Sequence, residues 1–302
     1  MTHSSRYFLG IFILILANIG FSAKAVIIKL MYRYEVDTLS VVALRMLFSA
    51  PIYLAVAIGL ALRKDNVPLS LRQFLMIGGL GIMSYYVSST LDFLGLQFVS
   101  ASVERLILFT YPTMVLVLSA LFLKKSITRV QQVALVLTYI GVMIAFVAEY
   151  GLGTQKNIAL GAGLIFTCAF TYSIFVIGTG ELVHRFGSVK FTAYAMLAAT
   201  VPALIQSGVY NGLHIFSFSK EVYELTVWLV LLSTVMPTFL IVEGIRIIGA
   251  GNSSIIGFVG PVSIIVLGYI FLQEPITGLQ LLGTAIVLAG VFLISVKGRK
   301  PS

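Results

Sequence analysis

The sequence predicts an all-α integral membrane protein of ten transmembrane helices, arranged as two inverted five-helix repeats. Three observations carry that expectation. The composition is apolar with few charges, the apolar runs have bilayer length and short connections, and the second half of the chain repeats the first at a fixed shift. Of the 302 residues, 59% are hydrophobic and 10% charged, where a soluble domain carries about 25% charged residues. Such a chain lacks the polar surface to dissolve itself in water. A net charge of +9 would suggest nucleic acid in a soluble protein; here membrane topology accounts for it, and no nucleic-acid partner is expected.

The same composition excludes much chemistry. The single cysteine, Cys168, lies inside the apolar stretch GLIFTCAFTY, so there is neither a disulfide framework nor a CxxC metal site. His3, His184 and His214 fall in a tail or in loops. A zinc site or a Ser/His/Asp hydrolase has almost nothing to be built from. No catalytic residue, metal or cofactor is expected, and the chain does not read as an enzyme.

A hydrocarbon core of ~30 Å needs about 20 apolar residues in a helix. The runs that qualify are 8–30, 39–62, 73–97, 102–123, 129–148, 159–179, 190–208, 225–247, 251–272 and 279–296. The first ends near Ala23-Lys24-Ala25, which loosely resembles a signal-peptide cleavage site. Its apolar character continues past Lys24, so it reads as an uncleaved first span. With the N-terminus cytoplasmic, thirteen of the twenty Lys and Arg residues fall in inside segments and three, Arg33, Lys156 and Lys220, outside. The other four lie within spans. The positive-inside rule then sets both termini in the cytoplasm, and a bacterial inner membrane is the expected location.

Residues 100–147 read SASVERLILFTYPTMVLVLSALFLKKSITRVQQVALVLTYIGVMIAFV. Shifted by 149, without a gap, the chain reads GAGNSSIIGFVGPVSIIVLGYIFLQEPITGLQLLGTAIVLAGVFLISV, with about a quarter of positions identical. Pro112/Pro261, Thr128/Thr277, Gln131/Gln280 and Gly141/Gly290 are among the matches, and the register extends back to Gly95/Gly244. Five spans per copy is an odd number, so the copies insert with opposite orientation. The loops agree: KKSIT is basic and QEPIT has no basic residue. Residues 1–149 and 150–302 are the expected repeats. Inverted repeats around a midplane site are a common architecture of secondary transporters.

These features resemble the EamA-type transporters of the drug/metabolite transporter superfamily. ALRMLFSAP (43–51), the two stretches containing KKSIT and QEPIT, and GTAIVLAGVFLI (283–294) carry the likeness, which covers essentially the whole chain. The resemblance implies a plasma-membrane exporter or permease of small metabolites or drugs. Its motifs are helix-packing patterns that specify fold well and substrate poorly, so site residues must come from physics.

An ionisable side chain inside the membrane costs at least ~2.5 kcal/mol. Lys24, Arg45, Asp92, Glu104 and Arg105 stand inside the outer half of the first four spans, three positive and two negative. They are expected to converge, either as a network leaving one cation for a substrate carboxylate or phosphate, or as internal pairs that pin helices. Ser102 reads as the N-cap that would favour Glu104 in the first turn; Arg105 has no such reason to be there. Lys29, a turn from the end of its span, reads as reaching the interface. In the second copy Glu243 and Arg246 share a helix face, and Glu243 is a candidate gate partner or carrier of a coupling proton. Asn18, Ser22, Tyr86, Thr167, Thr171 and Tyr172 are expected to line a central cavity, and Pro112 and Pro261 to kink their helices. The expected activity is secondary transport of a small polar metabolite, such as an amino acid or organic anion, by alternating access. The alternative is proton-coupled export of lipophilic cationic drugs. Oligomeric state is not legible.

Overall fold

The structure is a computed structural model. It describes residues 3–63, 68–124, 127–153, 157–212, 214–241, 243–244, 247, 256–257 and 259–297, with side chains described for all but 3–7, 123, 180–185 and 294–297. Among these residues every regular element is helical, as a lipid-embedded chain requires, because a helix satisfies its own backbone donors and acceptors.

Among the described residues ten apolar helical segments follow one another: α1 (His3–Tyr32), α2 (Thr38–Ala61), α3 (Leu71–Leu96), α4 (Ala101–Phe122), α5 (Arg129–Leu152), α6 (Ile158–Phe186), α7 (Ser188–Asn211), α8 (Lys220–Ile241), α9 (Val259–Leu272) and α10 (Gly278–Lys297). The first eight are long and apolar enough to cross a bilayer; α9 and α10 are shorter apolar helices. The eighth segment starts at Lys220 rather than 225, and much of the expected start of the ninth, 251–255, lies outside the described residues.

The duplication read from sequence is built into the helix details. Thr128 accepts from the Gln131 amide at the start of α5, and Thr277 accepts from the Gln280 amide at the start of α10. These hydroxyls satisfy amides that the first turn leaves without partners. Lys124 and Gln273, 149 apart, both take left-handed backbone conformations at the ends of their segments, φ 53° and 59°. A π-helical stretch opens at Ile82 in α3 and another at Leu231 in α8, again 149 apart. Such stretches leave the regular hydrogen-bond ladder by one residue.

Helix neighbours repeat in the same way. α5 packs on α10 and α2 on α7, while α1 against α9 is matched by α6 against α4. The α5–α10 contact is made by small residues. Ala134, Thr138, Gly141 and Ala145 are buried, while Val133, Val136, Ile140, Met143 and Val147 form the exposed apolar face. Close backbone approach is a main source of helix association in lipid. A Cβ on Gly141 would come 2.6 Å from the Gly283 carbonyl oxygen, and one on Gly290 would come 2.8 Å from that of Ala134.

The first two helices of each copy are related by 151 rather than 149. Pro51 in α2 corresponds to Pro202 in α7. Ser22 in α1 donates to the Gly260 carbonyl at 2.9 Å, and Ser173 in α6 donates to the Tyr111 carbonyl at 3.1 Å. The connections at the end where α1 finishes, which include 33–37, 97–100 and 273–277, are called the distal face below.

Candidate functional site

Charge placement begins with α1. Lys24 and Lys29 are five residues apart, about 7.5 Å along the helix at 1.5 Å per residue. Lys24 Nζ lies 2.5 Å from Asp92 Oδ2 of α3 and 3.3 Å from Glu104 Oε1 of α4. Both acids are buried, Asp92 to 3% and Glu104 to 1% residual exposure. One ammonium therefore serves two carboxylates, while Asp92 Oδ1 and both Glu104 oxygens have no hydrogen-bond donor.

Arg45 and Arg105 have no salt-bridge partner among the described residues. Arg45 is buried, donates from Nη2 to the Tyr85 carbonyl and the Ser89 hydroxyl at 2.9 Å each, and stacks 5.0 Å from the Phe93 ring centre. The π-helical stretch explains why that carbonyl is available: Met83, Tyr85 and Tyr86 carbonyls accept from Ser88, Arg45 and Thr90 side chains respectively. Lys24 also lies over Phe93, at 6.0 Å. Of the five expected charges, Lys24, Asp92 and Glu104 form one cluster with Arg45 beside it.

Arg105 turns the other way. Its guanidinium stands 5.6 Å over Phe109, with the Nε atom buried and without a hydrogen bond. It lies against Gly260, where a Cβ would be 2.9 Å from Nη2. Tyr111 occupies the corresponding position in the first copy, so the missing side chain at Gly260 makes room for the arginine. Beside it, Tyr111 meets Tyr172 edge-on at 5.2 Å, and Tyr172 stacks on Phe175 at 5.7 Å.

The cap reading at the entrance to α4 is corrected. Ser100, not Ser102, is the N-cap: its Oγ accepts from the Val103 amide at 3.2 Å, and Ser102 is buried inside the helix. Ser100 is itself held by Glu149 of α5, which accepts from both its hydroxyl and its amide. Lys29, read as reaching the interface, ends in the distal-face cavity against an acid. Its side chain is 14% exposed and pairs with Glu274 at 3.4 Å, in the QEPIT loop of the second copy.

The remaining expected residues are placed as follows. Ser22 is buried in the α1–α9 contact, and Asn18 donates to the Leu14 carbonyl of its own helix. Thr167 donates to Gly163, while Thr171 bonds its own helix and Ser88 of α3 at 2.7 Å. Tyr86 donates to Gln206 of α7 at 2.8 Å. Pro112 stands in the first turn after an interruption of α4 at Phe109–Thr110, and Pro261 in the first turn of α9. Proline suits a first helical turn, where its missing N–H has no partner to lose. Glu243 is half-buried with a partner; Arg246 lies outside the described residues.

The distal face holds a cavity of about 530 Å³ lined by Lys29, Tyr32, Arg33, Asp37, Gln97 and Glu274 among others. Asp37 caps α2 through the Ser40 amide and receives both oxygens' bonds from Asn211 at 2.9 Å. Burial works against its charge, yet the Ser40 and Asn211 donors outweigh that and hold its carboxyl below the usual range. A smaller cavity, about 210 Å³, is lined by Ser100, Glu149, Glu274 and Gln280 among others. Sequence reasoning missed Glu149 and Glu274. Glu274 stands three residues before the Thr277 start of α10, which was an available signal, whereas Glu149 meets Ser100 across 49 residues and carries no local mark.

With this geometry in place, likeness to known proteins is informative. The EamA-like transporter family's model matches the chain twice, over residues 8–147 and 159–296. "Uncharacterized transporter YcbK" of Bacillus subtilis (strain 168) is 27% identical over 291 residues, 94% of this chain and 91% of the relative. An "Uncharacterized transporter" of Archaeoglobus fulgidus is 23% identical over 262 residues, 87% of this chain and 91% of the relative. A solved structure titled "Crystal structure of protein" superposes with TM-score 0.63 at 13% identity, covering 98% of this chain and 100% of that one, a likeness of fold.

Proposed function

The chain belongs to the EamA-like transporter family, and from that premise we propose that it is a secondary transporter of a small polar metabolite, such as an amino acid or organic anion. Transport proceeds by alternating access, with the repeats of residues 1–149 and 150–302 rocking about a site near the membrane midplane. One observation carries the substrate class. Lys24 takes both carboxylates of the cluster, and Arg45 and Arg105 make no salt bridge among the described residues. A planar guanidinium matches a carboxylate or phosphate in two hydrogen bonds, and Arg105 stands beside the aromatic group Tyr111–Tyr172, where an organic anion has both charge and ring surface to meet.

The distal face is the exterior in this reading, because thirteen basic residues fall on the other side against three. The test compares small-molecule levels inside and outside cells overexpressing the wild type, Arg105→Ala, Arg105→Lys or an empty vector. A metabolite displaced by the wild type and not by Arg105→Ala supports an anion site at Arg105. Displacement shared by Arg105→Ala moves recognition away from this residue, and no displacement in any strain counts against transport of a metabolite.

The aromatic group formed by Tyr85, Tyr111, Tyr172 and Phe175 is the feature that favours the alternative, export of lipophilic cations. Protection of cells against such cations, lost in Glu243→Gln and kept in Arg105→Ala, would select it.

A further inference from the structure

We propose that the Lys24–Asp92–Glu104 cluster is the coupling-ion site of this transporter, and that the ion is a proton carried on Glu104. The inference rests on the transport reading above for its use, and on the cluster's own geometry for its existence. Two carboxylates converge on one ammonium at 2.5 and 3.3 Å. Lys24 is the one cation that makes a salt bridge to either carboxylate among the described residues, and Arg45 and Arg105 stand farther off. Two buried carboxylates that share one ammonium favour the state in which one of them carries a proton.

Geometry separates the two acids. Asp92 has the shorter contact with Lys24, including a hydrogen bond from its ammonium. Glu104 is the more deeply buried, at 1% exposure, and neither of its oxygens receives a hydrogen bond. A buried carboxylate without donors is costly, whereas a buried carboxylic acid is tolerated. Asp92 and Lys24 then form the ion pair, and Glu104 takes and gives up the proton: its carboxylate binds H⁺ from one face and the neutral acid releases it to the other.

The groups that face Glu104 fit this division. Lys24 comes from α1 and Asp92 from α3, Arg105 of the same helix adds its charge from the Gly260 side, and the Cys168 thiol of α6 lies within electrostatic reach of Lys24, Asp92 and Glu104. Arg45 of α2 shares the Phe93 ring with Lys24. At the start of α4, Glu149 of α5 and Glu274 of the α9–α10 connection are occupied by the amides of Ser100 and Ala101. The carboxyl expected from sequence to carry a proton, Glu243, stands outside this cluster.

Infrared difference spectroscopy on the purified full chain in lipid tests the proton without needing a substrate. The wild type is expected to show the C=O band of a protonated carboxylic acid that fades as pH rises. Glu104→Gln abolishes it, and Glu243→Gln keeps it. No such band at any pH, or a band that survives Glu104→Gln in protein of normal thermal stability, overturns the proposal. Coupling is read in cells with a protonophore. Wild-type metabolite displacement is expected to collapse, and any displacement left in Glu104→Gln to be indifferent to the protonophore. Wild-type displacement that survives the protonophore, or follows a sodium gradient instead, overturns proton coupling and leaves transport standing. Absence of displacement in every strain bears on the transport reading, and the infrared band alone then decides the proton site.

Discussion

Lys29 Nζ lies 3.4 Å from Glu274 Oε1, and that same oxygen accepts the Ala101 amide at 2.9 Å. A single carboxylate from the second copy thus ties α1 and the start of α4, both in the first. Under the proposed alternating access, in which one repeat moves against the other, a contact of this kind on the distal face acts as a gate as well as a brace. Lys29→Met or Glu274→Gln is expected to cost up to about 3 kcal/mol, since each leaves a largely buried partner without its charge. Export should change by more than stability does, and the charge swap Lys29→Glu with Glu274→Lys should recover part of it. Thermal unfolding and metabolite export, measured on the same variants, separate the two roles. Equal export in all of them would reduce the pair to a brace.

The α5–α10 contact makes a prediction of opposite kind, purely about packing. Gly141→Ala would push a methyl to 2.6 Å from the Gly283 carbonyl oxygen and 2.8 Å from Val287. Overpacking of this sort costs about 1–3 kcal/mol. Gly59→Ala and Gly163→Ala meet nothing within 4 Å, and helix propensity favours alanine there by up to ~1 kcal/mol. Unfolding midpoints should fall for the first and hold or rise for the other two.

The contrast between these two contacts shows what was legible in the sequence. Gly141 matches Gly290 in the gapless repeat because a small residue is the only solution where backbones meet, and hydropathy alone located the spans. The gapless match is legible back to Gly95/Gly244, and the same offset holds in the structure back to Ile82/Leu231. The α1 and α2 helices carry an offset of 151, marked by Pro51/Pro202 and by Ser22 and Ser173 bonding equivalent carbonyls. The charges were legible as an energetic anomaly, but their partners were not. Counting three cations against two acids does not reveal that Lys24 holds both acids and that Arg105 turns to Gly260. Lys29 looked able to reach water because its partner is 245 positions away in sequence.

The corrected helix start is open to a simple test. Ser100 caps α4 and anchors Glu149, while Ser102 does neither. Ser100→Ala should therefore cost about 1 kcal/mol for the lost cap, with a further loss as Glu149 is left without its hydroxyl donor. Ser100→Gly should recover little of the second part. Glu149→Gln in the Ser100→Ala background should add less than it does in the wild type, because the two residues share one contact. A stability loss at Ser102→Ala equal to that at Ser100→Ala would contradict the geometry.

Lys24 offers the most discriminating stability measurement. Lys24→Met leaves Asp92 and Glu104 at 3% and 1% exposure with no cation between them, and removing one partner of a buried charge group costs about 3–5 kcal/mol. Adding Asp92→Asn to Lys24→Met should return most of that loss, because the asparagine carries no charge to strand. Adding Glu104→Gln instead should return less, since its contact with Lys24 is 3.3 Å against 2.5 Å for Asp92. The coupling energies follow from double-mutant cycles on thermal unfolding in detergent. A larger coupling for Asp92 than for Glu104 is the result that the distances require. The reverse order would assign the ion pair to Glu104, and with it the proton to Asp92.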